Sequence, residues 1–268
     1  QILRDVAKGK VRLALAIGEP QMRYDYEDIA TTVERTAAGW RLNGQKAVVI
    51  GAPWADQLIV AARTSGAAGD ATGISLFLTA ADASGVAMHP YPTIDGRRAA
   101  DIILTNVEVG SDALIGGEGQ GLEMLEELRD RAVAAQAAEA AGLLDKLLQD
   151  TVAYTQQRQQ FGQPIATFQV LQHRMVDMYM HVELTRAAAL LATLKLDAPA
   201  DERARAASSA KATLAEACRF VGQNAVQLHG GMGMTDELPI GHYFKRATQI
   251  EGEFGTADWH LARRARLG

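Results

Sequence analysis

The sequence predicts an α+β fold: an antiparallel β-barrel or sandwich over residues 1–115, then a four-helix bundle over residues 116–268. Three observations predict it. Before about residue 112, short aliphatic and β-branched runs alternate with turn residues, and no helical stretch separates them. After about Gly119 the apolar spacing becomes three and four, as in Leu122, Leu125, Leu128 and Ala132. Glycine and proline then cut this second half into long pieces, at Phe161-Gly162-Gln163-Pro164, near Pro199, and at Gly230–Gly233.

In the β half, Trp40–Ile50 reads as two short strands joined through an Asn43-Gly44 turn, because Asn-Gly supplies the positive φ of a tight hairpin. Gln57–Arg63, Ile74–Thr79 and Asp101–Val107 read as further strands. Strands without crossover helices, and no G-x-G-x-x-G after a strand, exclude a Rossmann unit. In the helical half the first helix runs to the Phe161 break. The second covers about Phe168–Leu196, the third about Glu202–Leu228, and a last helix follows Pro239. Alanine dominates residues 132–141, which favours helix and lets neighbouring helices approach closely. Long antiparallel helices of this kind make a bundle.

The composition excludes several classes. Hydrophobic residues make up 48% and charged residues 22%, with a net charge of −5, so the chain reads as an ordinary soluble protein. Its basic residues are scattered, which argues against nucleic-acid binding. No apolar run reaches the length of a membrane span. The single Cys218 lies in an alanine-rich helical run; it cannot form an intrachain disulfide, and it reads as a buried small residue in a reducing cytoplasm. No spacing of His, Cys, Asp or Glu suggests a metal, and neither G-x-S-x-G nor a P-loop is present. The first residues carry no initiator Met and no signal-peptide pattern, so the chain reads as beginning inside a larger protein.

Two segments of the helical half are not built like core helix. One is Arg158-Gln159-Gln160-Phe161-Gly162-Gln163-Pro164-Ile165. The other, 66 residues after Phe161, is Gln227-Leu228-His229-Gly230-Gly231-Met232-Gly233. A guanidinium reaches a pyrophosphate, an aromatic ring stacks near a planar group, and glycines let backbone approach a ligand. A plain helix C-cap needs one glycine, and here there are three in four positions.

With Phe168-Gln169 following the first, these segments resemble the R-x-x-F-G and Q-x-x-G-G-x-G motifs of the acyl-CoA dehydrogenase family. The resemblance covers essentially the whole chain and is strongest over Tyr154–Met234. It implies FAD as cofactor, shared across a subunit interface, with Arg158, Phe161, Gln169, Gln227, Gly230 and Gly231 as flavin contacts. His229 is then a positioning residue in the loop. It also implies that an N-terminal helical domain precedes the β-domain in the family. Ala16-Ile17-Gly18-Glu19-Pro20 resembles the family's T-E-P segment. Lys46–Gly51 occupies the place of K-x-W-I-[TS]-N, with Val48 for the aromatic and Ile50 for the hydroxyl that would sit near flavin N5.

The implied reaction is α,β-desaturation of an acyl-CoA thioester. A carboxylate takes the α-proton, flavin N5 takes the β-hydride, and electron-transferring flavoprotein or a similar carrier accepts the electrons. The family's Y-E-G-T segment matches Glu253-Phe254-Gly255-Thr256, which makes Thr256 a further flavin contact. Anchoring on Gly255-Thr256 puts Phe254 in the base position; anchoring on Tyr243 upstream puts Glu253 there. Relatives with the base on the first bundle helix would have it at Ala132, where the nearest acid is Asp130. Glu253 is therefore the candidate base and Asp130 the reserve. The leading reading is an active dehydrogenase in a homo- or hetero-oligomer; the alternative is a non-catalytic half-site subunit of a heteromeric one. Phe254, Val48 and Ile50 favour the second.

Overall fold

The computed structural model describes residues 2–268 and divides into two compact units, one ending at Glu126 and one beginning at Glu127. The first opens on a short helix, α1 (Ile2–Ala7), which the sequence reading did not anticipate. Eight strands follow: β1 (Leu13–Ala16), β2 (Thr32–Arg35), β3 (Gly39–Ile50), β4 (Gln57–Arg63), β5 (Ile74–Ala80), β6 (Val86–Pro92), β7 (Arg98–Gly110) and β8 (Leu114–Ile115). They form one sheet in the order β6-β7-β3-β2-β4-β5-β8, with β1 also against β4. Most pairings are antiparallel, but β1 and β2 run parallel to β4, so the sheet is mixed. Trp40, Leu42, Leu58, Val60, Phe77, Ile102 and Val107 make its core, with the Trp40 and Phe77 rings edge to face at 5.3 Å.

The expected Asn43-Gly44 hairpin is absent. Both residues lie inside the continuous strand β3, paired along β7, and the register slips at Leu42/Gly44. The cause is side-chain chemistry. Asn43 Oδ1 accepts the backbone N–H of Asn106 on β7 at 2.7 Å, so the dipeptide is absorbed as a bulge. Gly44 is required there because a Cβ would collide with Thr31.

The second unit is helical: α2 (Gly121–Gln157, whose first turns lie in the first unit), α3 (Gln169–Leu194), α4 (Ala200–His229), α5 (Ile240–Gly252) and α6 (Ala257–Arg266). A two-rung hairpin of β9 (Gln159–Gln160) and β10 (Gln163–Pro164) joins α2 to α3. Three long helices and two short ones thus replace the expected four. The last expected helix breaks at Gly252–Thr256, where Phe254 and Gly255 take positive φ. Thr256 starts α6 by accepting the Trp259 N–H at 3.3 Å. Alanines 134, 137, 140, 210 and 217 face Leu144, Leu147, Leu214 and Val221 in the core, where small side chains let helices pack closely. Cys218 is buried among them, and burial pushes its thiol up to about 12, so it is no nucleophile at neutral pH. Among the described residues, no helix is long and apolar enough to cross a membrane.

Candidate functional site

The two unusual segments of the helical unit meet at one end of it. Arg158 follows the last turn of α2, and His229 ends α4. The Tyr154 and His229 rings stack with centroids 4.3 Å apart, and Tyr154 Oη donates to the His229 carbonyl at 3.3 Å. The His229 imidazole is buried, with Nδ1 2.8 Å from the Ala225 carbonyl. That is a structural position, and it leaves the following glycines free to turn. Gln169 opens α3 at the same end, because the hairpin between α2 and α3 is so short. Arg158, Phe161, Gln169, Gln227, Gly230 and Gly231 are all exposed there.

Phe161 is the odd residue of this group. It sits at φ +54 at the hairpin tip, 91% exposed, touching Phe168 edge to face at 6.1 Å. A Cβ placed on Gly230 or Gly231 would meet nothing within 4 Å, so their backbone faces open space. A cation, two amides, an aromatic ring and bare backbone thus converge on one accessible surface. That donor set fits a flavin dinucleotide: Arg158 for pyrophosphate, Phe161 for a ring face, the amides for polar edges.

Thr256 and Glu253 do not join this cluster. Their turn lies beside the first half of α4, since Lys211 donates to the Ile250 carbonyl and His260 reaches Ser208. From Ser208 to Gly230 along α4 is about 33 Å at ~1.5 Å per residue. One chain's two clusters therefore lie too far apart to line a single flavin ring system.

The two candidate bases differ in setting. Asp130 is fully buried and ion-paired twice, to Arg263 at 2.6 Å through Oδ1 and to Arg203 at 3.3 Å through Oδ2. With both oxygens held by guanidinium groups, its geometry is that of a structural anchor. Glu253 is 14% exposed at its side chain. Its Oε2 accepts from Gln136 at 3.0 Å and pairs with Arg246 at 3.2 Å. Gln136 in turn accepts from the buried Lys211 at 2.7 Å. Phe254, in the base position only when anchored on Gly255-Thr256, has φ +63 and its carbonyl 3.0 Å from His260 Nε2.

In the β unit, a buried pair missed by the sequence reading shapes the loop after β1. Lys46 Nζ donates to Glu19 Oε1 at 2.6 Å and to the Ile17 carbonyl at 3.3 Å. Glu19 also accepts the N–H groups of Ala30 at 2.8 Å and Thr31 at 3.0 Å. Burial pushes Glu19 upward, but the Lys46 charge and these hydrogen bonds outweigh it and hold the carboxyl at about 2. The available signal was one lysine inside an apolar strand and one glutamate between Gly18 and Pro20. Two residues on, Val48 lies at φ +53, half exposed, its N–H held by Asp101 at 3.0 Å. Tyr91 donates to the same carboxylate at 2.7 Å. Burial and this carboxylate push the phenol to about 12.

Besides glycine, four of the described residues have positive φ: Val48, Asn106, Phe161 and Phe254. Asn106 is of a type that tolerates it. The other three cost about 1–3 kcal/mol each, and such strain gathers at functional sites. Each stands in one of the segments read above as flavin-bordering.

The fold is a β-domain followed by a helical bundle. The acyl-CoA dehydrogenase middle-domain model matches residues 14–108, and the acyl-CoA dehydrogenase C-terminal-domain model matches residues 119–266. The chain belongs to the acyl-CoA dehydrogenase family. It is 29% identical over 259 residues to the 3-(aryl)acrylate reductase of Clostridium sporogenes, covering 96% of this chain and 68% of that protein. It is 28% identical over 247 residues to the caffeyl-CoA reductase-Etf complex subunit CarC of Acetobacterium woodii, covering 91% of this chain and 64% of that one. A solved structure of PigA with FAD superposes with a TM-score of 0.91 at 27% identity, over 98% of this chain and 70% of that one. The chain thus spans about two thirds of the length of these relatives.

Proposed function

We propose that this chain supplies flavin-site elements to an oligomeric acyl-CoA dehydrogenase and leaves abstraction of the substrate α-proton to a carboxylate of another chain. The observation that supports it is the three-fold coincidence of strained backbone with family flavin segments, at Val48, Phe161 and Phe254. FAD, when bound, supplies a two-electron hydride acceptor. The residues of this chain do the rest of their share by binding. Arg158 neutralises phosphate charge. Gln169 and Gln227 offer amide hydrogen bonds. Gly230 and Gly231 let the backbone come close. Thr256 serves a second site, which calls for neighbouring subunits. An electron-transferring flavoprotein is the proposed electron partner, in keeping with the Etf complex to which the Acetobacterium relative belongs.

The absence of a base rests on Phe254, a side chain that carries no proton-accepting group, and on the engaged state of Glu253 and Asp130. A second reading keeps Glu253 as the base, because it is the carboxylate directly preceding Phe254 in this turn and is not fully buried. One experiment separates the two. The full-length protein is purified alone and with its partner chain, and flavin bleaching by acyl-CoAs of several shapes is followed in the visible spectrum. Bleaching only in the mixed assembly, unchanged by Glu253→Gln, is the expected result. Bleaching by the homomeric protein, abolished by Glu253→Gln, would transfer the role of base to Glu253 and overturn the half-site reading.

A further inference from the structure

A buried hydrogen-bond chain runs from α2 through α6 and α4 to the turn after α5. Asp130 Oδ1 accepts from Arg263 Nη1 at 2.6 Å. Arg263 Nη1 also lies 3.3 Å from Ser208 Oγ, which lies 3.2 Å from His260 Nδ1. His260 Nε2 lies 3.0 Å from the Phe254 carbonyl. Asp130, Ser208, His260 and Arg263 are all buried.

The direction of every link follows from what each atom is able to do. A carbonyl oxygen only accepts, so His260 Nε2 carries hydrogen. In a neutral imidazole Nδ1 is then an acceptor, and the Ser208 hydroxyl must donate to it. That leaves the Ser208 oxygen to accept from Arg263, which has only hydrogens to give. The imidazole is kept neutral by its surroundings. Burial foremost pushes its pKa down to about 3, and Lys211, Arg263 and Arg129 push the same way against the Phe254 carbonyl.

The far end of the chain holds a turn with positive φ. Phe254 at φ +63 is followed by Gly255 at φ +126, and a Cβ on Gly255 would sit 2.6 Å from His260 Nε2. We propose that His260, held as its Nε2–H tautomer by the Asp130–Arg263–Ser208 chain, is the positioning residue for the Phe254–Thr256 turn. This rests on the flavin-site reading above only where the turn's effect on flavin is concerned.

The test compares His260→Gln, His260→Leu and Ser208→Ala in the full-length assembled protein. Gln keeps an N–H in reach of the Phe254 carbonyl, Leu keeps bulk without a donor, and Ser208→Ala leaves the imidazole but frees its tautomer. Backbone hydrogen exchange is read across residues 250–257, beside the thermal midpoint and the flavin absorption spectrum. Expected are exchange in the turn at least about tenfold faster in His260→Leu, near wild-type rates in His260→Gln, and an intermediate value in Ser208→Ala. Wild-type exchange in His260→Leu overturns the proposal, as does equal loss in His260→Gln and His260→Leu at equal thermal midpoints. If His260→Leu does not fold, wild-type exchange in Ser208→Ala, or loss in His260→Gln, overturns it instead. Faster exchange in His260→Leu with an unchanged flavin spectrum supports the positioning role and rejects the turn as a flavin border.

Discussion

At the scale of single residues, the side chains that hold loops in place matter more here than those that face solvent. Gly255→Ala forces a Cβ against the His260 ring at a backbone angle that L residues avoid. It should cost about 1–3 kcal/mol, measured as a lowered urea midpoint. An unchanged midpoint would show that the turn has an alternative conformation of equal energy. Glu19→Gln is the harsher change. It strips the counter-charge from Lys46, whose side chain is completely buried, and removing one partner of a buried pair costs about 3–5 kcal/mol. The pH dependence has a definite sign. The folded-state carboxyl of Glu19 is lowered to about 2 from an ordinary 4.5. Its contribution is therefore complete above about pH 4.5 and is lost as pH falls towards 2. Acid titration of the thermal midpoint should show a fall between those limits that is smaller in Glu19→Gln; parallel titration curves would contradict the assignment.

At the scale of elements, the join between the ends of α2 and α4 is what turns two sequence motifs into one surface. Tyr154 makes it by stacking on His229 and bonding its carbonyl. Tyr154→Leu keeps apolar bulk and loses both contacts, which should lower stability by about 1 kcal/mol. It should also loosen the hairpin carrying Phe161, read as faster hydrogen exchange across residues 158–165. Exchange confined to its wild-type rate would mean that the hairpin is held by other contacts. Much of this element plan was legible in the sequence. The long helices and their breaks follow from apolar spacing and from Gly and Pro, which act locally. The Asn43-Gly44 bulge was not legible, because its cause is a cross-strand bond to Asn106, 63 residues away. The break between α5 and α6 was hidden for a similar reason: Phe254 has no propensity for positive φ, and a buried histidine from the next helix holds it. The Asp130 pairing with Arg203 and Arg263 depended on contacts from two further helices. Motif matching picked out residues that the fold leaves exposed at one end of the helical unit, whereas the polar groups that fix their surroundings are distant in sequence and carry no motif.

At the scale of the whole molecule, the proposed shared flavin site, with its two candidate clusters separated along α4, requires assembly. α3 presents Val176, Met180, Leu184, Leu191 and Leu194 to solvent, at spacings that put them along one side of the helix. On the shared-site reading, this run of large apolar side chains over some 18 residues is the surface proposed for burial against another chain. Met180→Arg with Leu184→Arg places two charges in it and should shift the protein towards monomer at micromolar concentration, read by sedimentation. The same variant should release flavin, although it changes no proposed flavin contact. Arg158→Ala with Gln227→Ala should do the reverse, lowering flavin stoichiometry while sedimentation stays as in the wild type. The two double variants together discriminate. A monomer that keeps its flavin would mean that one chain completes the site alone. The shared-site reading, with Arg158 and Thr256 serving different flavins about 30 Å apart along the bundle, would then fail.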